Sequence, residues 1–198
     1  MGIIQVSKQW LTKISDGNTK LGNIPSVSLP PIVTCINNAP CTDNCYAVRY
    51  YRIRPAVREA YQYNYSLLTD NREAYFDGIY QYLIIKRPKR FRWHVAGDII
   101  DQDYFERMLY VIRRTPTTRH LCYTKNYKLR IGILPDNFRI WFSMWPGWNP
   151  PVIPKIPKAW MQDGTETRIP DKHYVCPMDC RKCAYCWYGY HDVVFHKH

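Results

Sequence analysis

The chain's 198 residues suffice for one substantial core with room for a small appendage, and favour one domain over two. No apolar run approaches the roughly 20 residues a membrane-spanning helix needs, and the opening MGIIQVSKQW lacks the basic-then-apolar pattern of a secretory signal, so a soluble cytoplasmic protein with no membrane partner is expected. Lys and Arg number 28 against 16 Asp and Glu, and the net charge of +12 points to a phosphate-bearing partner, a nucleotide or nucleic acid.

In chain order, Ser26 to Cys35 (SVSLPPIVTC) is expected to run extended, with Pro30 and Pro31 disfavouring a regular central strand at its middle. Pro55 suits the first turn of a helix continuing through AVREAYQYNYSLL. Asp70 with Glu73 resembles a capping box for a second helix, on which Tyr75, Phe76, Ile79, Tyr80 and Leu83 recur at helical spacing. The densest basic run, KRPKRFR from Lys86 to Arg92, follows; it fits a phosphate-tracking surface and a merely solvated face equally well.

FRWHVAGDI alternates with the two-residue period of a strand and ends at Gly97 and Asp98. Asp101 is placed to cap a helix whose Phe105, Met108, Leu109 and Ile112 share a face. RHLCYTK, ending at Lys125, and FRIWFSMW, Phe138 to Trp145, read as two further strands. About four strands thus alternate with helices, the pattern of an α/β fold with a parallel sheet. Ligands in such folds lie beyond the carboxyl ends of the strands, here at Cys35, Gly97-Asp98, Thr124-Lys125 and Ser143-Met144.

Of the eight cysteines, Cys122 fits a small buried apolar side chain; the other seven form two groups. Cys35, Cys41 and Cys45, spaced C-x5-C-x3-C on one loop, suit a 4Fe-4S cluster with one iron left open. Structural zinc would need a fourth ligand from elsewhere, such as Asp43 or a distant cysteine. Cys176, Cys180, Cys183 and Cys186 supply four closely spaced ligands, closer to a ferredoxin-type cluster loop than to a zinc ribbon, with closed four-cysteine zinc as the alternative metal. Asp98 is equally placed to cap a turn, Lys125 to be a solvated cation, and His94, on the polar side of its strand, to be structural.

The order KLGNIPSVSLPP, PCTDNCYA, AGDIIDQDYFERM, CYTK, SMWPG and CRKCAYCW resembles the phage gene product 88 family across most of the chain, which would place the protein in a host cytoplasm. The cysteine loop after a first strand and AGD at the end of a second are distantly similar to the radical S-adenosylmethionine enzymes. That resemblance implies a partial (β/α) barrel-like parallel sheet with a C-terminal Cys-rich metal-binding extension. It implies Cys35, Cys41 and Cys45 as ligands of an open 4Fe-4S cluster, Gly97 and Asp98 as the strand end meeting the amine of S-adenosylmethionine, and Lys125 and Ser143 as contacts to its carboxylate or ribose. The terminal four cysteines match an auxiliary cluster, and a reductant protein is an implied partner. In that class a reduced cluster passes an electron to the sulfonium and a deoxyadenosyl radical takes hydrogen from a substrate. The spacing differs from the superfamily's C-x3-C-x2-C, and Asp stands where Glu is common.

Residues 1–145 are expected to form the core and 146–172, with five prolines between Pro146 and Pro157, an extended semi-rigid strap. Residues 173–198 would be the cluster-binding tail packed on the core, with HDVVFHKH as a frayed end. Two functions follow: an iron–sulfur enzyme of radical S-adenosylmethionine type, or a zinc-binding, nucleic-acid-binding protein without catalysis. A cluster-bearing electron carrier is a third.

Overall fold

A computed structural model describes residues 11–151 and 156–196. Seven strands form one wholly parallel sheet: β1 (Ser26–Val27), β2 (Arg90–Trp93), β3 (Arg119–Thr124), β4 (Phe138–Met144), β5 (Lys158–Gln162), β6 (Tyr174–Val175) and β7 (Val193–His196). Their order is β1-β2-β3-β4-β5-β7-β6, so five strands follow one another in sequence before the last two exchange places. Consecutive parallel strands joined by crossovers of one hand put their helices on one face. That face carries α2 (Pro55–Asp70), α3 (Arg72–Lys86) and α4 (Gln102–Arg113), whose Leu68, Tyr75, Ile79, Phe105 and Met108 close a core with Phe91, Trp93, Cys122 and Ile140.

The opposite face is covered by the terminal cysteine segment together with Leu21 and Ile24. The alternate residues Leu121 and Trp141, with Ala159 and Val193, pack against Leu21, Ile24, Cys176, Cys186 and Trp187. Trp187 lies in α5 (Tyr185–Tyr188), a single turn. No helix among the described residues is long and apolar enough to cross a membrane.

Several elements differ from the sequence reading. The first ladder stops at Val27, because Pro30 and Pro31 cannot donate and the chain turns over 31–34, where Pro30 O accepts from Thr34 Oγ1 at 2.7 Å. Asp70 ends α2, and the cap of α3 is Asn71, whose side chain accepts from Ala74 N at 2.9 Å. Asp101 caps α4 as expected, accepting from Tyr104 N at 2.7 Å. The segment HDVVFHKH, expected to fray, contains β7, which pairs on both sides, with β5 and with β6. β5 lies within 146–172, so part of that extended stretch is itself a sheet strand. Helix α1 (Tyr46–Ile53), directly after the first cysteine loop, had no sequence signal.

Candidate functional site

The first cysteine group lies in the loop between β1 and α1, which the topology puts at the carboxyl end of the sheet. Cys35 closes a turn, donating its N–H to Ile32 O at 3.1 Å. Cys41 opens the short 3-10 turn Thr42–Asn44, and Cys45 is the N-cap residue of α1. Ile32, at φ 70°, holds a left-handed conformation that a β-branched residue adopts only under constraint.

The three thiols converge electrostatically. The Cys41 thiol hydrogen-bonds the Cys45 sulfur, and this bond, helped by the backbone N–H groups of Val48 and Ala47 at the start of α1, brings the Cys45 thiol down to about 6 against burial. The same bond keeps the proton on Cys41 and raises that thiol, while burial pushes Cys35 up to about 11. Cys35 and Cys41 each also feel the charge of Cys45. Lys125 favours the thiolate at all three, so the cation at the end of β3 faces the cysteine loop.

Gly97 and Asp98 lie beside this loop. Gly97 has φ 76°, and a Cβ there would stand 2.5 Å from Thr34 Oγ1 and 3.0 Å from Leu29 O, so only glycine lets the end of β2 pass over the base of the loop. Asp98 is buried, and both carboxylate oxygens are engaged. Oδ1 accepts from Thr124 Oγ1 at 2.6 Å and Ile99 N at 2.7 Å, and Oδ2 accepts from Lys125 N at 2.8 Å. Burial raises its pKa above the usual carboxylate range and these three donors oppose the rise. Asp98 therefore ties the ends of β2 and β3 together and sets the place of Lys125. Ser143 is more distant: its carbonyl accepts from the Tyr127 hydroxyl, and Tyr127 in turn feels Asp98 and Cys41.

Tyr127 has no signal in the sequence, and His94, expected on the polar side of its strand, faces the other way. Tyr127 stacks on Phe142 with ring centroids 4.9 Å apart and links Ser143 to the cysteine loop; nothing marks it among seventeen tyrosines. His94 takes φ 55°, which breaks the strand's alternation and turns the ring into the helix-side interior, 5.4 Å from the Tyr104 ring. It is 3% exposed, both ring nitrogens lack a partner among the described residues, and burial lowers it to about 3.

The second cysteine group spans the β6–β7 connection on the sheet's other face. Cys176 N donates to Val194 O at 2.9 Å, Cys180 N to Lys20 O at 3.0 Å, and the Cys186 carbonyl accepts from Trp141 Nε1 at 2.9 Å. The thiols again affect one another: Cys180 feels Cys176 and Cys183, and Cys186 feels Cys176 and Cys180. Burial raises Cys176 and Cys180 and pushes Cys186 up to about 12, while Arg92 and Lys20 oppose this at Cys180. Arg92, stacked 4.2 Å above the Tyr123 ring, also acts on Tyr46, the residue after Cys45, and so lies between the two groups.

All eight cysteines are free thiols. The donor sets suit thiophilic metals in kind and number. Among the described residues, however, no three His, Cys, Asp or Glu side chains are arranged as a ligand set.

A family model described as gene product 88 matches residues 4–145, which include Cys35, Cys41, Cys45, Gly97, Asp98, Lys125 and Ser143 and stop short of the terminal cysteines. No curated protein and no solved structure matches the chain.

Proposed function

We propose that this chain, which belongs to the gene product 88 family, is an iron–sulfur protein similar to the radical S-adenosylmethionine enzymes. In this proposal Cys35, Cys41 and Cys45 hold a 4Fe-4S cluster with one iron open to S-adenosylmethionine, and Cys176, Cys180, Cys183 and Cys186 hold a second, closed cluster. The observation that carries the proposal is the placing of three free thiols, which act on one another electrostatically, on one loop at the carboxyl end of a parallel sheet whose first five strands run in sequence order. A sheet of that order is compatible with a partial (β/α) barrel. When bound, an open-site cluster supplies one-electron reduction at an iron without a protein ligand.

The chain's own residues take distinct parts. Gly97 lets the backbone after β2 pack directly against Thr34 and Leu29 at the base of the loop, and Lys125 sets a positive charge against a carboxylate or against thiolate ligands. With both oxygens engaged, Asp98 serves as a positioning residue that holds Lys125 in place. The exposed Ile32, Val33 and Tyr46 give the loop an apolar rim suited to a reductant protein. Anaerobic reconstitution with iron and sulfide tests the proposal. A paramagnetic resonance signal that changes on adding S-adenosylmethionine is expected; a signal indifferent to it removes the open iron.

A second proposal rests on the terminal group, whose four thiols are enough in kind and number for a closed tetrahedral zinc site. Colourless protein with stoichiometric zinc, and no iron after anaerobic purification, would favour a zinc protein without catalysis.

A further inference from the structure

At the opposite end of the sheet, where the strands begin, three arginines stand in a row. Arg90 and Arg119 open β2 and β3 and are direct partners in the ladder; Arg139 enters one step higher on β4, opposite Leu121. By strand alternation all three point to the face covered by the chain's end, because Phe91, Cys122 and Ile140 point to the helices. Each guanidinium lies over one aromatic ring of α5 or of the turn just after it. Arg90 is 5.2 Å from the Trp187 ring, Arg119 5.1 Å from Tyr188 and Arg139 4.9 Å from Tyr190. Trp187 is buried, whereas Tyr188 is 48% and Tyr190 76% exposed, so the tyrosines are covered on one side by a cation and open to solvent on the other.

Packing alone does not call for this arrangement. Like charges directly opposite in a ladder repel, and among the described residues no carboxylate forms an ion pair with Arg90, Arg119 or Arg139. Each directs a single N–H to a backbone carbonyl, of Cys180, Asp136 and Phe138 respectively, and Arg139 Nε is buried without a partner. The exposed Arg87 and Lys89 adjoin the row, and the chain as a whole carries +12. Gly189 sets the turn that presents Tyr190, since a Cβ there would come within 2.5 Å of the Tyr185 ring.

We propose that this row is a binding surface for single-stranded nucleic acid: the guanidiniums take backbone phosphates, and Tyr188 and Tyr190 stack unpaired bases on their open sides. A flexible strand of regularly spaced anions complements a line of unpaired cations, and two projecting rings reach bases only when those are not paired within a duplex. No aliphatic side chain takes part in the row, as a lipid surface would require. The surface lies at the other end of the strands from Cys35, Cys41 and Cys45, and its existence does not depend on which metal the cysteines hold.

The test is fluorescence anisotropy of a labelled oligothymidylate of about 15 nucleotides with the full chain as purified, over a range of salt. Binding is expected, weakened about tenfold by Tyr190→Ala and by Tyr188→Ala with an unchanged salt slope, and retained in Tyr190→Phe. Arg119→Gln should reduce the salt slope by about 0.7, the share of one phosphate contact on a single strand. Melting temperatures equal to the parent's establish that the variants fold; Tyr190 is exposed enough for its removal to be tolerated. The proposal is overturned by absence of binding at low salt, by equal affinity for duplex or for anionic vesicles, or by binding that Tyr190→Ala and Arg119→Gln both leave untouched.

Discussion

Asp98→Asn isolates the lock between the ends of β2 and β3. The amide is isosteric, but it offers one acceptor oxygen where the carboxylate offers two. If the amide oxygen faces Thr124 and Ile99, its NH2 group meets Lys125 N–H; if it faces Lys125, the NH2 group meets Ile99 N–H. Reorienting the Thr124 hydroxyl to accept from the amide does not rescue the second arrangement, because Ile99 N–H still faces the NH2 group. Either way a buried donor faces a donor. A charge-assisted hydrogen bond contributes about 1.5–3 kcal/mol and a buried unsatisfied donor costs about 1–3 kcal/mol. Removing a desolvated charge offsets part of that sum, leaving a loss of about 3 kcal/mol. For a chain of this size the melting temperature should fall by about 6–12 °C. Urea unfolding followed by circular dichroism gives the value directly, provided the slope with denaturant is unchanged. A loss under about 1 kcal/mol would refute the lock and return Asp98 to the pool of residues free to meet a ligand.

Acid should unfold the protein through its two buried histidines. His94 and His120 are both lowered to about 3 from an ordinary 6.5, so the unfolded chain binds protons that the folded chain refuses. Their stabilisation is complete above pH 6.5 and is lost as pH falls towards 3, by on the order of 2 kcal/mol each at pH 5. His94→Asn, which tolerates the left-handed backbone, should remove about half of that slope; an unchanged slope contradicts the assignment. In metal-free protein the Cys45 thiol, lowered to about 6 from 9.0, should be alkylated by iodoacetamide with a midpoint near that value, moving up in Cys41→Ala as the thiol hydrogen bond is lost. A midpoint above pH 8 in the parent would show that the two sulfurs do not share a proton. Gly97→Ala should destabilise by about 1–3 kcal/mol, seen as an earlier urea midpoint, because its Cβ meets Thr34 and Leu29 at a positive φ.

The helices legible in the sequence were those whose apolar spacing matches burial. Phe105, Met108, Leu109 and Ile112 of α4 are all interior, and Asp101 caps them. Strands β2, β3 and β4 were legible for the same reason, since Phe91, Trp93, Phe138 and Ile140 alternate with partly exposed residues. β5 and β7 were hidden because each is short and flanked by features that suggest loop or terminus, prolines before Lys158 and a histidine-rich end after Val193. Only pairing across the sheet makes them strands, and pairing between residues 34 apart in the chain has no local signature. The site divides in the same way. Cysteine spacing identified both groups, whereas the inward turn of His94 depends on a backbone torsion and the role of Tyr127 on a tertiary contact, neither of which composition encodes. The arginine row was visible only as charge, because its aromatic partners lie more than fifty residues beyond it in the chain.

The most direct test of two separate thiol-held metal sites is iron, sulfide and zinc content per chain after anaerobic purification of the parent, Cys41→Ala and Cys180→Ala. About eight irons in brown parent protein, falling to about four in each variant, is the result expected from two independent four-iron clusters. Colourless parent protein with zinc alone, or an iron content that neither substitution changes, would contradict it.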